Sequence, residues 1–158
     1  MEVVYIFWIG VAATICMDLS RAALKFWFGV QSLDYSLVGR WLLSMPKGFF
    51  CHRNIINSAR LTHEKWVGWL AHYMIGVGFA GLYYLAIPSE QQPLFFCAVG
   101  FGLFTVLIPF FIMQPCFGFG IAARRVPSAW QARLKSVFAH GVFGIGLYLA
   151  IHLFNNVV

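Results

Sequence analysis

The sequence predicts an all-helical integral membrane protein with four transmembrane helices. Of its 158 residues, 61% are hydrophobic and only 10% are charged, whereas an ordinary soluble domain carries about 25% charged residues. Four apolar stretches are each long enough to cross about 30 Å of hydrocarbon as a helix. They occupy residues 3–28, 65–87, 94–113 and 130–154. Together they use most of the chain and predict a single domain over residues 1–158.

The first span is predicted to be a retained membrane helix. Its N-terminal side lacks a basic region and a small-residue cleavage site, and its apolar run continues into Asp18 and Arg21, so it does not resemble a signal peptide. Residues 29–64 follow as a connecting segment that is too interrupted to be a span. Within it, residues 35–45 mix apolar side chains with Arg40 and stop at Pro46, which predicts a short interfacial helix.

The second and fourth spans repeat each other. Residues 71–78 and 139–146 share the pattern A-H-x-x-x-G-x-G at an offset of 68 residues. Two helices separate the copies, so both copies run in the same direction, and the predicted architecture is two parallel helical hairpins. The third span contains Pro109, which predicts a kink because proline cannot donate the helical hydrogen bond.

The basic residues predict the orientation of the spans. All eleven Lys and Arg lie between positions 21 and 65 or between positions 124 and 135. The positive-inside rule therefore predicts that segment 29–64 and the connection between spans three and four are cytoplasmic, and that both chain termini are periplasmic. Because these charges are scattered at span ends, they are expected to contact lipid headgroups of the bilayer, not nucleic acid.

Each predicted span contributes one polar group to the level of the inner leaflet. These candidate solute-binding residues, together with a neighbouring arginine, are Asp18, Arg21, His72, Gln114 and His140. Ionisable groups within a membrane span are costly and point to function. Structural alternatives stay open: an Asp18–Arg21 ion pair at i,i+3, histidines that hydrogen-bond between closely packed helices, and a Gln114 amide that satisfies backbone groups freed next to Pro115.

Several short motifs resemble a known family. They are Leu37–Trp41, Gly68–Tyr73, Met113–Pro115, Gly120–Ala123 and Gly144–Tyr148. The chain resembles, over almost its whole length, a group of short bacterial inner-membrane proteins classed as a domain of unknown function. The resemblance implies a bacterial inner-membrane location and a stand-alone domain. It brings no catalytic residues with it.

Binding or transport of a small solute or ion is the function that these features favour, with a homodimer supplying more volume than four spans enclose. A membrane redox protein is the alternative, in which His72 and His140 bind a b-type haem or a quinone between their helices. A structural or accessory subunit is the third. An enzyme is not favoured, since the sequence has neither G-x-S-x-G nor H-E-x-x-H. The four cysteines lack CxxC and zinc spacing. They are therefore expected to pack as small apolar side chains and not to form a metal site.

Overall fold

A computed structural model describes residues 2–31 and 33–155, and over these ranges the chain is helical and contains no strand. The α-helices are α1 (Glu2–Phe28), α2 (Tyr35–Ser44), α3 (Glu64–Ala86), α4 (Phe95–Thr105), α5 (Gln114–Cys116) and α6 (Ala129–Asn155). Short 3-10 turns span Met45–Lys47, Ile55–Asn57 and Ile121–Ala123, and a π-helix spans Pro109–Met113. Residues 1 and 156–158, at the chain ends predicted to be periplasmic, lie outside the described ranges.

Three of the described segments are long and apolar enough to cross a membrane: Val3–Phe28, Phe95–Cys116 and Ala129–Asn155. Helix α3 has 23 residues and is therefore long enough, but its four glycines and His72 lower its mean hydropathy. The structure thus agrees with a helical membrane protein. A fourth crossing through α3 stays a prediction.

The third predicted span contains an irregular helix. Helix α4 ends at Thr105, and the π-helix Pro109–Met113 then leads into α5. Pro109 has no N–H to donate to the preceding turn, and the π-helix begins at this residue: the N–H of Gln114 reaches the carbonyl of Pro109. A disruption at Pro109 was expected from the sequence, but its π-helical form was not.

The chain divides into two compact units. The first unit comprises residues 1–31, 73–105 and 137–158, and the second comprises residues 32–72 and 106–136. Each unit has a hydrophobic core of its own. The buried core of the first unit consists of Ile9, Ala13, Ala80, Tyr83, Ala98, Phe143, Leu147, Ala150 and Ile151.

Small residues bring helices close together in the first unit. A Cβ atom on Gly10 would lie 2.6 Å from Cα of Val77, which places α1 against α3. A Cβ atom on Gly144 would lie 2.6 Å from the carbonyl oxygen of Ala98, which places α6 against α4. Small residues permit such approach where lipid supplies no hydrophobic driving force between helices.

Gly144→Ala is expected to destabilise the first unit by about 1–3 kcal/mol, because the new methyl group overlaps backbone atoms of α4. Gly100→Ala is the matched control, since a Cβ atom there meets nothing within 4 Å. Thermal unfolding of the purified protein in detergent measures both. Equal melting temperatures for the two variants would contradict the close α4–α6 contact.

The second unit is built around α2. Its buried core consists of Tyr35, Val38, Ile55 and Phe117. The side chain of Asp34 caps the helix by accepting the N–H of Ser36 at 2.9 Å. The 3-10 turn that contains Pro46 follows α2 directly. The helix that was predicted over residues 35–45 is thus present, and it ends where proline was expected to stop it.

Candidate functional site

Asp18 lies on α1 in the first unit and is partly buried. Its Oδ1 faces Nη1 of Arg21 at 3.4 Å, in the i,i+3 ion pair that the spacing allows. Its Oδ2 accepts a hydrogen bond from the hydroxyl of Tyr73 on α3 at 3.1 Å. Both members of the ion pair are 17% exposed. The carboxylate is therefore held between two helices of the unit and retains some access to the surroundings.

His140 is paired with a hydroxyl group. Its Nδ1 lies 2.7 Å from Oγ1 of Thr105, which also lies 2.6 Å from the carbonyl oxygen of Gly102. A carbonyl can only accept, so the single hydroxyl hydrogen of Thr105 goes to Gly102 and Nδ1 of His140 must be the donor. In the neutral imidazole, Nε2 is then the basic nitrogen.

His72 packs against a tyrosine within the second unit. The rings of His72 and Tyr35 stack with centroids 4.0 Å apart, and Nε2 of His72 lies 2.8 Å from the Tyr35 hydroxyl. Trp69 meets the Tyr35 ring edge-on at 4.8 Å. This small aromatic cluster joins α2 to the beginning of α3. Within this cluster the Tyr35 hydroxyl contacts Nε2, one of the two ring nitrogens of His72 that could bind a metal.

Gln114 is the first residue of α5. Its Oε1 atom is buried and accepts no hydrogen bond from the described part of the chain. Such an atom costs about 1–3 kcal/mol unless a solute, lipid or water molecule satisfies it. The adjacent Pro115 was expected to disturb the backbone near this residue, and the π-helix Pro109–Met113 directly precedes it.

The structure distributes the predicted binding residues over both units. Asp18, Arg21 and His140 belong to the first, and His72 and Gln114 belong to the second. It brings Asp18 into contact with Arg21. Each histidine contacts a hydroxyl group that sequence analysis did not single out.

A buried ion pair in the second unit was missed by the sequence analysis. Nε and Nη2 of Arg40 donate to the two carboxylate oxygens of Glu64 at 2.8 and 2.9 Å. Nη1 of Arg40 also donates to the carbonyls of Ile55 at 2.8 Å and Ser58 at 3.1 Å. Only 5% of the Arg40 side chain and 12% of the Glu64 side chain are exposed. Arg40 therefore ties α2 to the irregular segment and to the start of α3.

This pair shifts the titration of both groups. The hydrogen bonds from Arg40 hold the pKa of the Glu64 carboxyl below its ordinary value, and the N–H of Leu61, 2.9 Å from Oε2, acts in the same direction. The hydrogen bond to Glu64 in turn raises the pKa of Arg40. Both residues are therefore charged at neutral pH.

An open cleft of about 570 Å³ lies beside the ion pair. Its lining residues are Asp34, Ser36, Leu37, Arg40, Ile56, Arg60, Glu64 and Lys65. The two acidic members are engaged, Asp34 as the cap of α2 and Glu64 with Arg40. The exposed cations Arg60 and Lys65 give the rim a positive character.

A family profile described as "Protein of unknown function (DUF2938)" matches residues 7–154. No curated protein and no solved structure matches the chain.

Proposed function

Because the chain belongs to the protein family of unknown function DUF2938, we propose a function from its own residues: it is a multi-pass protein of the bacterial inner membrane that binds and transports a small cationic solute or ion. In this proposal α3 crosses the membrane as the second span, from residue 65 onward, both termini are periplasmic, and residues 29–64 are cytoplasmic. The exposed cations Arg60 and Lys65 support that orientation, because they would face anionic headgroups of the inner leaflet.

The helix contacts in the first unit support an arrangement of two hairpins. Gly10 on α1 meets α3, and Gly102 on α4 meets α6, where its Cβ atom would lie 2.5 Å from the carbonyl oxygen of His140. The two contacts thus join each span with the A-H-x-x-x-G-x-G pattern to the span before it. This pairing is what a duplicated hairpin requires.

The observation that carries the transport proposal is the position of Asp18. A carboxylate in an apolar helix costs a few kcal/mol and marks function by default. Its ion pair with Arg21 spans 3.4 Å, which is longer than the roughly 2.7–2.9 Å of a strong charge-assisted hydrogen bond. In the proposal a competing cation displaces Arg21, while Tyr73 keeps the carboxylate in place.

The histidines fit a proton-exchange role in the same proposal. Imidazole exchanges protons near neutral pH, and Thr105 fixes the tautomer of His140 so that Nε2 is the basic nitrogen. The haem alternative gains less support, because Nε2 of His72 is hydrogen-bonded to Tyr35, whose ring also stacks on the imidazole.

Asp18→Asn is expected to reduce cation movement at least tenfold. The variant removes the charge but keeps an oxygen that can accept the Tyr73 hydrogen bond, so the fold is retained. The measurement uses proteoliposomes that contain a pH-sensitive dye, an imposed pH gradient, and a panel of monovalent inorganic cations and small organic amines. A tenfold loss corresponds to a free-energy difference of about 1.4 kcal/mol.

The matched control is Asp34→Asn. Asp34 caps α2 outside the proposed spans, and asparagine caps a helix about as well as aspartate, so this variant is expected to transport like the unchanged protein. Full activity in Asp18→Asn, or a panel in which no cation moves through the unchanged protein, would show the proposal to be wrong.

A further inference from the structure

Two cysteines of the second unit lie on chain segments that hydrogen-bond to each other. The N–H of His52 donates to the carbonyl of Cys116 at 2.7 Å, and the N–H of Ile55 donates to the carbonyl of Phe117 at 3.0 Å. Gly118 adds a third close approach, because a Cβ atom there would lie 2.1 Å from the carbonyl oxygen of Arg53. The segment that begins at Cys51 is thus fixed beside the end of α5.

These hydrogen bonds limit how far apart Cys51 and Cys116 can be. The Cα atom of Cys51 is two covalent bonds from the nitrogen of His52, and the Cα atom of Cys116 is two covalent bonds from its own carbonyl oxygen. The hydrogen bond between that nitrogen and that oxygen therefore restricts the Cα–Cα distance of the two cysteines to about 7.5 Å at most. Disulfides join Cα atoms about 4.4–6.8 Å apart. Burial raises the pKa of the Cys116 thiol, and the neighbouring Cys51 side chain raises it further, so the two side chains are close.

The two thiols differ in exposure. Cys51 is exposed and Cys116 is half-buried, and both are reduced. The expectation that all cysteines are apolar fillers is therefore wrong for Cys51, whose thiol lies at the surface. The other two cysteines, Cys16 and Cys97, belong to the first unit and serve as internal references.

We propose that Cys51 and Cys116 form a reversible intramolecular disulfide when the protein meets hydrogen peroxide. The Cys51 thiolate attacks one peroxide oxygen, the O–O bond breaks, and with one proton from solvent a sulfenic acid and one water molecule form. The Cys116 sulfur then attacks the sulfenic sulfur, the S–S bond forms as the S–O bond breaks, and the hydroxide leaves with the Cys116 thiol proton as the second water. Two thiols are oxidised by two electrons in total, and hydrogen peroxide is reduced to two water molecules.

The disulfide would add a covalent link between two segments that are joined by hydrogen bonds in the reduced protein. Cys51 follows the turn after α2, and Cys116 ends α5. A dithiol reductant restores the reduced form, so the cysteine pair would act as a reversible peroxide sensor. Disulfide formation does not depend on whether the protein transports a solute.

The test exposes the purified full-length protein in detergent to hydrogen peroxide and then alkylates the remaining thiols with a maleimide. The expected product is two hydrogens lighter, accepts two labels in place of four, and yields one cross-linked proteolytic peptide pair that contains Cys51 and Cys116. Treatment with dithiothreitol is expected to restore all four labels.

Matched variants separate the two steps. Cys116→Ser is expected to stop at the sulfenic acid, which a dimedone probe captures, and Cys51→Ser is expected to lose labels at least tenfold more slowly. The double variant Cys16→Ser, Cys97→Ser is expected to form the disulfide at the unchanged rate. A cross-link between two chains, or label loss that is unchanged in Cys51→Ser, would overturn the proposal.

Discussion

Gly39→Ala is expected to destabilise the protein by about 3 kcal/mol or more, which lowers the melting temperature by about 10 °C. A Cβ atom on Gly39 would lie 1.8 Å from the carbonyl oxygen of Glu64. From the opposite side, a Cβ atom on Gly68 would lie 1.9 Å from the carbonyl oxygen of Tyr35. Backbone atoms on both sides leave no flexible side chain to move aside, so α2 must separate from the start of α3.

A fall in melting temperature distinguishes a steric clash from the gain in helix propensity that alanine would otherwise bring. Alanine has a higher helix propensity than glycine by about 1 kcal/mol, so without the clash Gly39→Ala would stabilise α2. Gly78→Ala on α3 is the control, because a Cβ atom there meets nothing within 4 Å, and it is expected to melt at the same or a higher temperature. Thermal unfolding in detergent, followed by tryptophan fluorescence, compares the two. A Gly39→Ala protein that melts no lower than the control contradicts the close approach of these helices.

Arg40→Met is expected to cost about 3–5 kcal/mol at pH 7, because it leaves the carboxylate of Glu64 desolvated without its counter-charge. The variant also removes the donors to the carbonyls of Ile55 and Ser58. Arg60→Met, a change in an exposed arginine of the same cleft, is expected to change stability by less than about 0.5 kcal/mol. Similar melting temperatures for both variants would mean that the ion pair contributes little.

The same pair predicts how stability depends on pH. Arg40 holds the pKa of Glu64 below its ordinary value of 4.5. The stabilisation is therefore complete above about pH 4.5 and is lost as the pH falls through the lower value of the folded protein. Melting temperatures of the unchanged protein and of Glu64→Gln are expected to converge as the pH falls from 7 to 3. Glu90→Gln, an exposed acidic residue outside the pair, is expected to follow the unchanged protein, and a gap that stays constant for Glu64→Gln would contradict the assignment.

The helices could be predicted from sequence because their signals are local. The first, second and fourth predicted spans agree with α1, α3 and α6 to within one residue at each end. The apolar run over residues 35–45 and Pro46 located α2. The third span was less accurate, since a π-helix adds a residue per turn and rotates every side chain after Pro109 away from its ideal helical position.

The contacts in the second unit could not be predicted because they join residues through irregular chain. Arg40 and Glu64 are 24 positions apart, and no periodicity links them. One signal was available: a short apolar helix that contains an arginine needs a carboxylate when that arginine is buried. Asp34 is the nearest acidic residue before Arg40 and Glu64 is the nearest one after it, but neither was paired with Arg40 from the sequence.

The proximity of Cys51 to Cys116 had no such signal. It depends on backbone hydrogen bonds between two segments without regular secondary structure. The hydroxyl partners of the histidines could not be predicted either, because Tyr35 and Thr105 resemble many other polar residues at helix ends or in apolar helices. The function class itself stays a proposal for the same reason: the polar residues were identified, but their partners were not.

The contacts of α2 also suggest an order of assembly during synthesis. Arg40 pairs with Glu64, 24 residues later, and Tyr35 contacts His72, 37 residues later. The chain segments between these partners are short, so closing them into loops has a small entropic cost. The core of the first unit, in contrast, needs Ile151 near the end of α6 to pack with Ile9 on α1. Because the chain emerges from its N-terminus, α2 and the start of α3 can associate while the last helix is still being made. The newly made Arg40 side chain can then pair with Glu64 before the core of the first unit closes.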